Sequence, residues 1–356
     1  MKALIVILAA LFASAASANT LLVATCNSAT SSKAHADYVG DCVGDQEEIN
    51  AAIAALPPTG GSVLLSEGTY DIRRTEGGLG GVLIQRSNVT LEGVGYATRL
   101  VLADNQSTNV VRIVGDGLKN IVIENLYIDA NGATNYRSDF EACGIRAKSS
   151  GAAQLENIVV RDTFIENAAR LNAYLIGSNV RIVNNRFGDA GSDVAEIIGG
   201  PGLIEGNTVV IASTSGYGLG TDTASGVSIT NNIIHVLPSG RLTEAAFRLW
   251  GGQYQNIVSN NQVLADGPVK YMLEMRGYFN VASGNVFAAR WDQRSRVVVN
   301  GGSVLTGNIF ENTDIAVLDT SGFGWPVRMT GNFVYYGSVG NTIVRSGDSD
   351  YPNATP

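Results

Sequence analysis

Polar and apolar residues alternate in short runs along most of this chain. Val180-Arg-Ile-Val183 and Val227-Ser-Ile-Thr230 are typical, with β-branched residues at every second position and turn residues soon after. Alternation at period two predicts strands with one buried face, and the brevity of the runs predicts many of them. An asparagine frame adds a longer period. Asn185, Asn207, Asn232, Asn261, Asn285, Asn308 and Asn332 each follow an apolar residue by three positions and precede one by two, as in Ile204-Glu-Gly-Asn207-Thr-Val209. The steps between them are 22, 25, 29, 24, 23 and 24 residues. A period in the twenties built from short strands predicts a solenoid whose coils stack at about 4.8 Å. Leucine-rich repeats are excluded because their Leu-x-x-Leu-x-Leu frame is missing, and helical repeats because the apolar runs are too short. The asparagines are expected to form a ladder. Each occupies a tight turn, whose left-handed backbone Asn tolerates, and its amide bonds the identical amide one coil away.

The same pattern divides the chain. Residues 1–18 carry Lys2, an apolar run from Ala3 to Ala13 and a small-residue cleavage site at Ala16-Ser-Ala18. These features predict a secretory signal, and hence a secreted or cell-surface protein. Residues 19–80 are expected to open with a strand at Leu21–Ala24 and to cap the solenoid with an amphipathic helix over 45–56. Ile49, Ala52, Ile53 and Leu56 form its apolar face, and Pro57-Pro58 ends it. The solenoid spans 81–334, with coils over 82–100, 110–129, 143–165, 172–187, 194–209, 217–236, 246–263, 271–287, 296–310 and 315–334. Insertions at 129–142 and 237–245 interrupt it. Residues 335–356 form a tail over the last coil, fraying from Gly347. The fold class is therefore all-β: a single-stranded parallel β-helix of about ten coils with a helical cap.

Composition narrows the function. The 356 residues include 42 glycines and only 16% charged residues, which suits tight turns and buried strands. A net charge of −8 argues against a nucleic-acid partner. Once the signal is removed, no stretch reaches the length of a membrane-spanning helix. Cys26 and Cys42 can pair after export, which leaves Cys143 as a small buried residue.

The stretch Asp45-Gln-Glu-Glu-Ile-Asn-Ala-Ala-Ile53 with Gly60-Gly-Ser-Val-Leu-Leu65 and Glu67-Gly-Thr-Tyr70 resembles the N-terminal cap of the pectate-lyase-like right-handed parallel β-helix proteins. Asn88-Val-Thr-Leu-Glu-Gly93 resembles their next coil. The resemblance covers nearly the whole mature chain and implies a right-handed helix. It carries no catalytic residue across. The Asp-Pro-His-Glu motif of mannuronan epimerases, the Gly-His-Gly motif of polygalacturonases and the Arg-x-Pro-x-x-Arg of classical pectate lyases are all missing.

Strand alternation places a stripe of charged and aromatic residues outward over about five coils. One column holds Arg146, Tyr174, Glu196, Gly220, Arg248 and Glu274, and its neighbour holds Lys148, Asp222, Trp250 and Arg276. Glu196, Asp222, Arg248 and Glu274 are the catalytic candidates: two carboxylates for hydrolysis, or a base and a cation for a lyase. Arg146, Tyr174, Trp250 and Arg276 are the substrate-binding candidates, with flat rings for sugars and guanidinium groups for uronate carboxylates. Asp129, Asp139 and Glu141 flank the first insertion as an oxygen-rich cluster suited to Ca2+, or as plain solvated acids. His235 is expected on a solvated position. Two functions fit. One is a secreted carbohydrate-active protein that binds, and cleaves as lyase or hydrolase, an extracellular polysaccharide. The other is a non-catalytic adhesin, fibre or virion protein, for which a homotrimer is the expected assembly. In the second case Arg248 and Glu274 form an ordinary cross-strand ion pair.

Overall fold

A computed structural model describes residues 19–351, apart from 79, 137, 138, 140, 252, 253, 291, 293, 318–325, 340–342, 347 and 348. The expected signal at 1–18 lies outside the described residues. No helix among the described residues is long and apolar enough to cross a membrane.

The chain winds into a parallel β-helix with three faces. Among the described residues the coils lay their short strands into a 14-stranded, a 12-stranded and an 11-stranded sheet, here the first, second and third sheets, the first of them extended by the N-terminal strands Thr20–Ala24 and Tyr38–Val39. Every pairing between these strands is parallel, as between Ala173–Gly177 and Ala195–Gly199. The ten expected coils are all present, each with strands inside the expected bounds. Alternate side chains point inward and stack in columns, which makes one continuous core from Val23 to Val334.

The cap forms as its pattern requires. The helix Gln46–Ala55 buries Ile49, Ala52 and Ile53 against the first coil. Its preceding residue, Asp45, is fully buried and does not cap the helix by its side chain. Its carboxylate instead accepts bonds from Thr25 Oγ1, Cys42 N and Asp71 N, each at 2.9 Å. Cys26 and Cys42 are joined in a disulfide beside it, and Cys143 is buried. A short helix at Thr30–His35 was not foreseen, since none of its residues is buried and it shows no apolar face.

The asparagine ladder runs unbroken. In each step Nδ2 of one asparagine donates to Oδ1 of the next at 2.9–3.0 Å, from Asn185 to Asn332. The same Oδ1 also accepts the backbone N–H of the preceding ladder residue, at 2.9–3.0 Å. The turn geometry corrects one expectation. The left-handed residue is not the ladder asparagine but the one before it: Asn184, Gly206, Asn231, Asn260, Gly284, Gly307 and Gly331 all have positive φ. Asn and Gly are the residues that adopt that backbone without strain, which leaves the ladder side chain free to turn inward.

Two boundaries also differ. Residues 241–245 are not a loop. They begin the ten-residue strand Arg241–Trp250, which also pairs Thr214–Ser215 and is irregular between Leu242 and Ala245 against its next neighbour. Buried Leu242 and Ala245 explain this, because the core face continues through them. The tail does not fold over the end: Ile343–Ser346 and Ser349–Tyr351 pair in parallel with Val327–Thr330 and Phe333–Tyr335 and extend the stack.

Candidate active site

The third sheet sets the site. Its register aligns Arg112, Arg146, Tyr174, Glu196, Gly220, Arg248 and Glu274 as one column across seven strands. Asp222 pairs with Trp250 one step further along. Period-two alternation thus places the residues in line, but it does not make them exposed. Glu196, Arg248, Arg146 and Tyr174 are buried, and Glu274 is fully so.

At the centre, the Arg248 guanidinium donates from Nη2 to Glu196 Oε1 at 2.5 Å and to Asp193 Oδ2 at 3.3 Å. Its flat face lies 3.8 Å from the Tyr217 ring. Glu196 and Arg248 are two coils apart. They meet only because Gly220 stands between them: a Cβ there would lie 3.2 Å from Arg248 Cβ and 2.8 Å from its carbonyl oxygen. Both carboxylates touch one nitrogen, so their nearest oxygens lie within about 6 Å of each other. Among the described residues, Asp193 Oδ1 and Arg248 Nε are buried with no hydrogen-bond partner.

The electrostatics favour one proton in this cluster. Burial pushes the Glu196 carboxyl up to about 7, with Asp193 and Asp222 adding to the shift and Arg248 opposing it. Burial also raises Asp193, against Arg248 and Arg170. Burial works against the Arg248 charge, but Glu196, Asp193 and Tyr217 outweigh it, so Arg248 stays protonated. Burial outweighs the attraction of Arg248, and the Glu196 carboxyl titrates near neutral pH.

The remaining candidates take other positions. Glu274 is bonded to Arg276 Nε at 2.7 Å, and that guanidinium lies 4.1 Å from the Trp250 ring. In the structure the catalytic candidate Glu274 is thus a buried ion-pair partner of Arg276. Asp222, Trp250 and Arg276 form the solvent-facing rim, the first two half-buried and Arg276 exposed. Trp250 is therefore stacked by Arg276 rather than packed under a loop. Arg146 is not open to a uronate either. It lies 4.6 Å from the Tyr174 ring and 3.1 Å from Glu141 Oε1, while Arg112 bonds Glu141 Oε2 at 3.0 Å. The insertion that carries Glu141 covers this end of the stripe. Glu141 is thereby committed to two arginines and Asp129 to Asn131 and Asn167, and among the described residues no group of three acids, histidines or cysteines is placed to hold a metal ion. Burial raises the Tyr174 hydroxyl to about 12, with Glu196 adding, so it is a poor base. His235 is half-buried and bonded to Asp266 at 2.9 Å. Asp193 and Tyr217 were missed from sequence. Both lie in turns before their strands, where alternation says nothing.

No protein-family model matches the chain, and no curated protein matches it in sequence. Solved structures match its shape. The catalytic domain of a GH87 alpha-1,3-glucanase in complex with tetrasaccharides superposes with a TM-score of 0.58 at 13% identity, over 86% of this chain and 66% of that one. The DFA-IIIase of Arthrobacter chlorophenolicus A6, in complex with DFA-III, gives 0.52 at 16%, over 92% and 86%. ORF18 of Geobacillus virus E2 gives 0.50 at 13%, over 87% and 58%. At these identities the likeness establishes the fold, a right-handed parallel β-helix with a helical cap, as the N-terminal resemblance implied.

Proposed function

We propose that this protein is a secreted carbohydrate-active β-helix that cleaves a polysaccharide by acid–base chemistry at Asp193 and Glu196. The observation that carries the reading is the pair of buried carboxylates on one guanidinium, one of them held protonated near neutral pH. Perturbed acids of this kind mark functional sites. Protonated Glu196 donates to the leaving glycosidic oxygen. Asp193 or the rim residue Asp222 attacks the anomeric carbon or activates water. Arg248 orients both buried carboxylates and opposes the upward shift that burial gives each of them. Trp250, broadened by Arg276, offers a flat face for a sugar ring. Hydrolysis is favoured over a lyase reaction because Arg146 and Arg248 are already committed to protein carboxylates. Glycan-bound alpha-1,3-glucanase and DFA-IIIase among the fold neighbours support a carbohydrate partner, and the Cys26–Cys42 disulfide supports an oxidising compartment.

A second reading has its own support. The stripe satisfies much of its own charge, as a rigid non-catalytic surface or virion spacer would, and a viral protein shares the fold. Incubation with neutral and acidic polysaccharides separates the two. New reducing ends establish a hydrolase, ultraviolet absorbance of an unsaturated uronate establishes a lyase, and silence on both across the panel favours the spacer. A trimer by light scattering would strengthen that outcome.

A further inference from the structure

A groove lies outside the carboxylate cluster, at the corner between the second and third sheets. It encloses about 580 Å3 and crosses four successive coils, at residues 129–136, 167–169, 189–191 and 213–214. At the strand spacing this is roughly 15 Å along the solenoid axis, and the volume lies within the range of ligand sites.

Its chemistry is one-sided. Asp129 Oδ1 accepts bonds from Asn131 N at 2.9 Å and Asn167 Nδ2 at 3.2 Å, and Asp189 Oδ1 accepts from Ala212 N and Ser213 N at 2.9 and 3.1 Å. These bonds fix both carboxylates at the groove wall, and among the described residues their second oxygens accept nothing. Such acceptors call for hydroxyl donors. No lysine or arginine is present among the described lining residues, so an anionic group entering here meets only like charge. Tyr136 stands 67% exposed at one end, an aromatic face open to solvent. The floor is held low by the stack itself, since a Cβ on Gly191 would lie 2.3 Å from Ala169 O. Gly191 is two residues from Asp193, at most about 7 Å of chain, so the floor runs out beside the buried carboxylates.

We propose that this groove binds a neutral glycan chain, with Tyr136 stacking on one sugar and Asp129 and Asp189 accepting hydroxyl bonds, and delivers it to Asp193 and Glu196. The inference rests on the proposed function and adds to it the substrate class, an uncharged polysaccharide rather than a polyuronate.

The test is calorimetric binding of neutral oligosaccharides (glucans and fructans) and of oligouronates to full-length protein carrying Glu196→Gln, so that nothing is turned over. Tyr136→Ala and Ala133→Trp, both at exposed positions, are added in turn. At least one neutral class is expected to bind, oligouronates are not, and each groove variant is expected to weaken binding roughly tenfold with an unchanged melting temperature. Preference for oligouronates, or neutral binding indifferent to both variants, overturns the inference and leaves the hydrolase reading standing. Neutral binding through Tyr136 with no cleavage by the wild-type chain keeps the inference and removes the hydrolase. Failure to bind any glycan overturns both.

Discussion

Asn232 sits at the middle of the ladder, and its replacement by alanine is the clearest test of what holds the coils in register. The side chain is fully buried. Its Oδ1 accepts the backbone N–H and Nδ2 of Asn207, both at 2.9 Å, and its Nδ2 donates to Ile204 O and Asn261 Oδ1 at 2.9 Å. Asn207 Nδ2 retains Ile182 O, and Asn261 Oδ1 retains the N–H of residue 232. The Asn207 backbone N–H loses its acceptor outright. One orphaned buried donor costs about 1–3 kcal/mol, and each further bond lost contributes about 1 kcal/mol. Asn232→Ala should therefore destabilise by about 4–6 kcal/mol, a large share of ordinary domain stability. Asn232→Asp should be at least as damaging, because a carboxylate would face the carbonyl oxygens that the amide now bonds. The control is Asn120→Gly in the exposed asparagine row, which keeps the left-handed backbone at φ 58° while removing the contacts to Asn88 and Asn157. It should cost under about 1 kcal/mol. Urea unfolding followed by tryptophan fluorescence measures all three. An Asn232→Ala midpoint equal to that of Asn120→Gly would refute the view that the buried ladder, rather than apolar stacking alone, locks the coils.

Three further outcomes follow from the site. Glu141→Gln leaves Arg112 and Arg146 buried against a neutral group and should destabilise by about 3–5 kcal/mol, read by the same unfolding assay. Glu196 retains its proton in the folded state up to about 7, while the unfolded carboxyl releases it near 4.5. Its contribution to stability is thus fully present below 4.5, is lost as pH rises through that window, and is flat above it. Melting temperatures of wild type and Glu196→Gln across pH 4–8 should diverge there, with the variant lacking the decline. Gly220→Val sets its side chain against the Arg248 carbonyl oxygen and Cβ, and should lower both turnover and stability, the latter by about 1–3 kcal/mol, read as kcat and as the urea midpoint.

Much of the fold was legible because a solenoid repeats its instructions. The Asn frame, the period-two runs and the cap helix each state a local rule that the coils obey without long-range exceptions. Even the left-handed position was written in the sequence, as the Asn or Gly that precedes every ladder residue. The site was legible only as an alignment. Register follows from counting residues, so Glu196, Gly220 and Arg248 fall in one column. Burial does not follow, because it depends on what the insertion at 129–142 and the turns at Asp193 and Tyr217 lay over that column. Arg146 was expected to meet a ligand and meets Glu141; Glu274 was expected at the chemistry and is sealed beneath Arg276. The groove beside Tyr136 was invisible for the same reason, since its walls come from four turns far apart in sequence.

The most direct test of the central claim is the pH dependence of reducing-end release from a neutral polysaccharide panel by the wild type, Glu196→Gln and Asp193→Asn. A general acid at Glu196 predicts activity that falls as pH rises through about 7, a loss of roughly 100-fold or more in Glu196→Gln with that alkaline limb gone, and a comparable loss in Asp193→Asn. Cleavage by Glu196→Gln at the wild-type rate and with the wild-type profile would contradict the account.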